Sequence, residues 1–422
     1  MSDLPPIAPI ASDANDEDLR RLRPRGSNQI GMSQFNERVV LQAIRLNGSM
    51  PKADIARLTN LSTQTVSLII NRLLEGGMVL KQKALRGKVG QPSVPIALNP
   101  DGAFSIGIKI GRRGMDVLLV DFTGRVRERS SVPYHFPDAR YLFDDIERQL
   151  KSHVKLLGSA QAQRLSGIGI AAPLALGGWQ ELLGIAPEQA YQWNQIDIRA
   201  RVQALTDLPV EFCKDTAAAS VAELVAGRGR SIKSFLYVFV GTFIGGGLVL
   251  DSHLRAGLHG NAGAVGSLPL GLARHGNRDV AEAPPPQLLA NASLFNLEQL
   301  YALAGLDETA VADARAMQAP WLSHTTAWID DAARAIALVI NNAACLLDLE
   351  GVIVDGGFDR SMLDALLLKI DAAQEYYNWE GVTRPALLAG TIGPDACAIG
   401  GALLPLYANF APDRDLFLKL DK

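Results

Sequence analysis

Along residues 34–75 the apolar positions fall into three short helical stretches. The first covers about 34–46, with Val39, Val40, Ala43, Ile44 and Leu46 apolar, and stops at Asn47-Gly48. The second starts after Pro51, a residue suited to a helix start, and carries Ile55, Ala56 and Leu58. The turn Thr59-Asn60-Leu61 leads into a third helix, which Ser62 or Thr63 caps and Gly76-Gly77 ends. Its inner stripe is Val66, Ile69, Ile70, Leu73 and Leu74, and its outer face holds Gln64, Ser67, Leu68, Asn71 and Arg72. The pattern is that of a helix-turn-helix with the third helix in the reading position. Met78–Lys83 and Val94–Leu98 then read as short strands either side of a basic loop that contains Arg86, Lys88 and Gln91, which makes a wing.

Beyond residue 100 the period shortens to that of strands. Ser105–Gly111 passes through Arg112-Arg113-Gly114 into Met115–Val120. The plan recurs where Phe235–Gly241 passes through Thr242–Gly246 into Gly247–Leu250. Two strand–glycine turn–strand units about 130 residues apart predict an internally duplicated α/β domain with a cleft between two lobes. Glycine turns let backbone amides approach an anion, although a lone example is more often just a tight hairpin. Leu165–Pro173 reads as a buried strand, and Val210–Thr216 as a strand entering the helix Ala217–Ala226. A long apolar helix over 328–349 precedes the strand Gly351–Val354.

Charge sharpens this division. The net charge of −3 conceals a segregation: residues 1–19 hold five acids and no Lys or Arg, and residues 20–100 hold 13 Lys and Arg against three acids. The remainder carries −8. A basic segment on an acidic body fits a nucleic-acid-binding module joined to a second domain. On the recognition helix, Ser62, Thr63, Gln64, Thr65, Ser67, Asn71 and Arg72 are the candidate DNA contacts, with Arg86, Lys88 and Gln91 in the wing. Gln64 and Asn71 offer paired donors and acceptors to base edges. Leu68 on the same face either meets a thymine methyl or packs elsewhere in the protein. Residues 1–27 read as a disordered arm ending in the basic tract Arg20–Arg25. The expected division is therefore 1–27 arm, 28–99 winged helix-turn-helix and 100–422 two-lobed domain. Three cysteines (Cys213, Cys345, Cys397) exclude a disulfide scaffold. With no apolar run long enough to span a bilayer and no signal-peptide pattern, a cytoplasmic setting without membrane contact is the expectation.

The order of these motifs resembles the ROK family, which groups sugar-responsive repressors with sugar kinases. Gly26-Ser27-Asn28-Gln29, Gln34-Phe35-Asn36, the helix-turn-helix and Gly90-Gln91-Pro92 resemble the regulator branch. The two glycine hairpins, Lys214-Asp215, Gly260-Asn261-Ala262-Gly263, Asp355-Gly356-Gly357, Gly393-Pro394-Asp395 and Gly400-Gly401 follow the family's order. The resemblance covers about residues 26–410. It implies a duplicated actin-like, hexokinase-like (ribonuclease H-like) domain behind the winged helix-turn-helix. It also implies a homodimer or dimer of dimers on double-stranded operator DNA, controlled by a sugar or sugar derivative.

The departures from the family pattern bear on catalysis. Family kinases keep an acid at the first hairpin to organise Mg-ATP, and here Lys109 aligns with it. A cation cannot hold Mg²⁺, which demands hard oxygen ligands. Arg112-Arg113 replaces the glycine-rich turn, and Phe243 stands where the second hairpin usually has glycine. The family's Asn-Asp pair has become Lys214-Asp215, so only the position of the catalytic base, Asp215, survives. Asp215 reads equally well as a ligand acceptor or as a carboxylate at a helix start. Ala264 and Ser267 replace the family's Glu and His, and the cysteine cluster of its zinc site is missing from 268–293. The expectation is a sensor without zinc, Mg-ATP or any other cofactor. Lys214, Asp215, Asn261, Ser267 and Glu188 are its candidate ligand contacts, with Trp193 either stacking on a sugar or serving the core. The alternative is an ATP-dependent sugar kinase with an added DNA-binding domain.

Overall fold

The computed structural model describes residues 29–84, 94–178, 180–272 and 284–412. The N-terminal unit contains α1 (Gln29–Asn47), β1 (Ser49–Met50), α2 (Lys52–Thr59), α3 (Thr63–Glu75), β2 (Val79–Lys81) and β3 (Ile96–Leu98). Helix α1 begins earlier than its apolar pattern suggests. At the turn between α2 and α3, Asn60 takes the left-handed conformation that Asn tolerates better than most residues. Ser62 then caps α3, its hydroxyl accepting from the Thr65 amide at 3.1 Å. Val40, Ile44, Ile55, Val66, Ile70 and Leu73 bury together beneath the sheet order β1-β3-β2. Both wing strands are shorter than expected: Gln82 donates to the Pro95 carbonyl, but Pro95 has no N–H to continue the ladder. The pairing of β1 with β3 has no counterpart in the sequence reading. Arg86, Lys88 and Gln91 lie outside the described residues, as does the arm.

The first lobe contains β4 (Phe104–Ile110), β5 (Gly114–Asp121), β6 (Val126–Pro133), α4 (Ala139–Ala162), β7 (Leu165–Ala172), α5 (Gln180–Leu183), α6 (Pro187–Asn194), α7 (Ile198–Gln203), β8 (Val210–Lys214) and α8 (Asp215–Ala226). The second contains β9 (Phe235–Val240), β10 (Ile244–Leu250), β11 (His253–Arg255), α9 (Leu289–Ala292), α10 (Leu294–Leu303), α11 (Leu322–Leu347), β12 (Gly351–Gly356), α12 (Arg360–Gln374), β13 (Ala386–Ala389) and α13 (Ala396–Phe410). The sheets repeat one plan: β6-β5-β4-β7-β8 in the first and β11-β10-β9-β12-β13 in the second. Each has an antiparallel meander followed by parallel strands. The duplication read from the hairpins is therefore a duplication of whole sheets.

Helices α8 and α13 tie the lobes together. Both are lined with small residues, which lets their backbones approach closely: a Cβ on Gly400 would land on the Ala218 carbonyl. From that crossing α13 runs to the N-terminal unit. Phe410 meets Phe122 edge to face at 4.9 Å, and Arg45 of α1 lies 5.0 Å over the Phe122 ring while donating to its carbonyl at 3.0 Å. Arg230, just after α8, donates to the carbonyls of Arg45 and Leu46. Burial, and then the neighbouring Arg230 charge, lower the Arg45 guanidinium to about 10, so it stays charged at neutral pH. The DNA-reading unit thus rests on the far ends of the two helices that cross between the lobes.

Candidate functional site

On α3, Thr63, Gln64 and Asn71 are exposed, and Leu68 is 62% exposed. Leu68 is therefore not packed into the core of the described residues and stays on the outer face of α3. Ser62 and Thr65 share a hydroxyl contact at 2.8 Å, so they shape the start of the helix. Arg72 is engaged by α1: it donates to Ser33 at 3.0 Å and stands 3.7 Å from Glu37. Lys52 reaches the Asn71 carboxamide oxygen at 3.3 Å. Gln64 is left projecting beside Ser67 and Leu68, the arrangement suited to reading base edges and thymine methyls.

Between the lobes, the tips of the two hairpins meet. The second turn is shorter than its sequence suggests. Strand β10 begins at Ile244, so Gly245 and Gly246 belong to the strand together with Gly247 and not to the turn. Their missing side chains make room for α8 and for the backbone at Gly263: a Cβ on Gly245 would stand 2.9 Å from Thr216, and one on Gly247 2.6 Å from Ser220. The turn that remains is Gly241-Thr242-Phe243. Across from it, the Arg112 guanidinium lies 4.7 Å over the Phe243 ring. Arg113 makes a two-pronged ion pair with Glu298 of α10, at 2.6 and 2.5 Å. Burial raises the Glu298 carboxyl above its ordinary range, and Arg113 opposes the rise. Lys109 is paired with Asp116 at 3.1 Å.

Lys214 ends β8, and Asp215 opens α8, where its carboxylate accepts from the Thr216 amide at 2.8 Å. The Thr216 hydroxyl donates to the Gly246 carbonyl across the lobes at 2.9 Å. Of the two roles weighed for Asp215, the helix-start role is visible, and it occupies one carboxylate oxygen. The loop 257–263 faces this end of α8. A Cβ on Gly263 would meet Gly247, and one on Gly260 would meet Leu174 of the first lobe. Asn261 is exposed on that loop, and Ser267 is exposed at the end of the turn that follows. Glu188 is exposed on α6, with no hydrogen bond to Lys214 or Asp215 among the described residues. Trp193 is a core residue: it is buried, and its indole donates to Pro137 at 3.0 Å. Next to it, a cavity of about 350 Å³ opens at the β8 edge, lined by Leu174, Trp193, Arg199, Glu211 and Phe212 among others. It shares Leu174 with the cleft but lies to one side of Lys214 and Asp215. Cys213, Cys345 and Cys397 are all free. Among the described residues no helix is long and apolar enough to cross a membrane.

A duplicated two-sheet domain behind a winged helix-turn-helix is the architecture that the motif order implied, and comparison with known proteins agrees. Residues 105–406 match the ROK family model, and residues 36–79 match a winged helix-turn-helix DNA-binding model. The chain belongs to the ROK family. It is 27% identical over 244 residues to a xylose repressor of Caldicellulosiruptor bescii, an alignment covering 57% of this chain and 59% of the repressor. Among solved structures, a ROK family transcriptional regulator described as a homologue of the E. coli MLC protein superimposes with a TM-score of 0.62. That match has 19% identity and covers 90% of this chain and 97% of the other. A ROK family glucokinase from Streptomyces griseus, solved with glucose and AMPPNP, superimposes with a TM-score of 0.56. It is 21% identical, with 72% of this chain and 99% of that one covered. The family fold thus serves proteins described as regulators and proteins described as kinases. The residues between the lobes have to distinguish them.

Sequence reasoning singled out Arg112, Arg113 and Phe243 as departures but did not join them. It missed Glu298, a lone acid on the face of α10 that also carries Leu294, Leu297 and Tyr301. That pattern is the available signal, because a carboxylate on an apolar face needs a partner.

Proposed function

We propose that this chain is a DNA-binding transcriptional regulator, a repressor of a carbohydrate uptake or catabolism operon. On this reading a sugar or sugar derivative binds between the lobes and releases the operator. The observation that carries it is the exposed face of α3 set on the far end of the α8–α13 crossing. A change in lobe position at the cleft reaches the reading head through Phe410, Phe122 and Arg45. A ligand that prefers one lobe arrangement then shifts operator affinity by its differential binding. The protein acts in the cytoplasm as a dimer or dimer of dimers, on palindromic double-stranded sites. A mobility-shift assay with its own promoter region, at stated salt, tests this. Specific retardation relieved by a sugar is expected, and binding no better than to random DNA would sink the proposal. The xylose repressors among its relatives make xylose the first sugar to try.

Gln64→Ala is expected to relax base choice at one position in each half-site, at a cost of about 1–3 kcal/mol for the preferred base. Lys88→Ala is expected to weaken all sequences alike and lower the salt slope by about one. Binding isotherms over a salt series separate the two. Identical behaviour would mean that helix and wing do not divide reading from phosphate contact.

The second reading is a sugar kinase, and Asp215 is the residue that favours it. Against it stand Lys109 paired with Asp116 and the Arg112–Phe243 contact between the hairpin tips. Phosphoryl transfer depends on metal-assisted charge neutralisation and open room for the nucleotide. We infer that the chain needs no zinc or Mg-ATP and catalyses no transfer. A coupled ATP-turnover assay over a sugar panel should give background only. Mg-dependent turnover abolished by Asp215→Asn would overturn this.

A further inference from the structure

Among the described residues, four cations named above lie at the hairpin tips and the start of α8, and two of them have an acid to themselves. Lys109 is neutralised by Asp116, and Arg113 by Glu298. Arg112 and Lys214 are left. The Arg112 Nε is buried and has no hydrogen-bond partner among the described residues. Its remaining contacts are the Phe243 ring and a long bond of 3.4 Å from its terminal nitrogen to the Ala175 carbonyl. Lys214 is partly buried at the end of β8, and among the described residues it has neither a hydrogen bond nor an ion pair. Asp215 is the acid whose field acts on both, and one of its oxygens is already taken by the Thr216 amide. Burial lowers both cations' pKa values, and Asp215 only partly offsets it.

Two partly desolvated cations sharing one partly committed carboxylate leave a surplus of one positive charge. Such an arrangement is costly in a protein interior unless an anion completes it. Arg112 also links the two hairpin tips, through Phe243, to the loop at Ala175. A guanidinium and an ammonium on either side of a ligand suit a carboxylate or phosphate group.

We propose, resting on the sensor reading above, that the effector is a sugar carrying a single anionic group, held by Arg112 and Lys214. Asp215 accepts from one of its hydroxyls. The acidic sugar binds more tightly than its neutral parent because that parent leaves the surplus positive charge uncompensated.

Calorimetry on the full chain tests this with matched pairs: xylose against xylonate, and glucose against gluconate and glucose 6-phosphate. Inorganic phosphate serves as the control for an anion alone. The anionic member is expected to bind at least tenfold more tightly, with affinity falling as salt rises. Lys214→Gln and Arg112→Gln should each erase most of that preference, with folding checked by circular dichroism. Preference for gluconate and xylonate alone assigns a carboxylate, and preference for glucose 6-phosphate alone assigns a phosphate. If neutral sugars bind equally or better and relieve operator binding, the proposal fails and the sensor reading stands. If no sugar of either kind binds, both fall. The salt dependence of the unsubstituted chain keeps the test decisive should a variant misfold.

Discussion

Gly400→Ala is expected to destabilise the chain by roughly 3 kcal/mol and to lower its melting temperature by about 3–5 °C. The reason lies in how α8 and α13 meet. Gly400 of α13 lies against Ala218 and Ala219 of α8, and all three are buried. A methyl group on Gly400 collides with the Ala218 carbonyl, which is backbone and cannot rotate away. The helices must part, and α13 is also packed on the first sheet through Gly107 and Gly169. Gly381→Ala makes the contrast. A Cβ there meets nothing, but φ is +78°, so its cost is the left-handed penalty of about 1–2 kcal/mol. Thermal denaturation of both variants checks the pair. A Gly400→Ala chain that melts with the unsubstituted protein would show that the helices do not cross this closely in solution. Because α13 also carries Phe410 to Phe122, the same variant should lose effector-dependent operator release before it loses secondary structure.

The helix-turn-helix was legible from sequence because its information is local. Period, cap and turn sit within some 40 residues, and Ser62, Asn60 and the Val66–Leu73 stripe take the roles their types suggest. The sheet duplication was legible as two hairpins, because β-strands joined by short turns announce themselves. Gly245 and Gly246 of β10 were misread as turn for a physical reason: a glycine that frees a turn and one that admits a neighbouring helix look the same in sequence. Only the position of α8 against Gly245 and Gly247 tells them apart.

The site was legible as a set of departures and not as a set of contacts. Arg112 and Phe243 are 131 positions apart, and each alone looks like the loss of a glycine. Together they form one contact at 4.7 Å. Arg113 and Glu298 are separated further still, and no spacing rule links a hairpin tip to a helix 185 residues later. Trp193 could be weighed for stacking or core but not decided, since its environment comes from Phe143 and Pro137 of a different segment. Long-range pairs of this kind depend on topology, which hydrophobic period alone does not supply.

The Arg113–Glu298 pair carries the last prediction, in which its two halves are not equivalent. The Glu298 side chain is 4% exposed and Arg113 49%. Glu298→Gln leaves Arg113 free to turn into water, so its cost should stay under about 1 kcal/mol. Arg113→Ala instead strands a buried carboxylate, with Glu308 nearby to raise its pKa further. That should cost roughly 2 kcal/mol, below the range for fully buried pairs because Arg113 is half in water. The pH dependence follows from the direction of the shift. A carboxyl whose folded pKa is raised favours the folded state below its unfolded pKa and loses that contribution as pH rises through the folded value. The deficit of Arg113→Ala should therefore be full at neutral pH and shrink as pH falls towards the ordinary carboxylate range. Glu298→Gln has no such group to titrate, so its small deficit should stay flat. Urea denaturation of the two variants between neutral and mildly acidic pH reads this directly. Equal, pH-independent losses would mean that the hairpin tip is not latched to α10. If the latch holds, both variants should also change the effector concentration needed for operator release, because Arg113 and Glu298 belong to opposite lobes and their bond favours one lobe arrangement over the other.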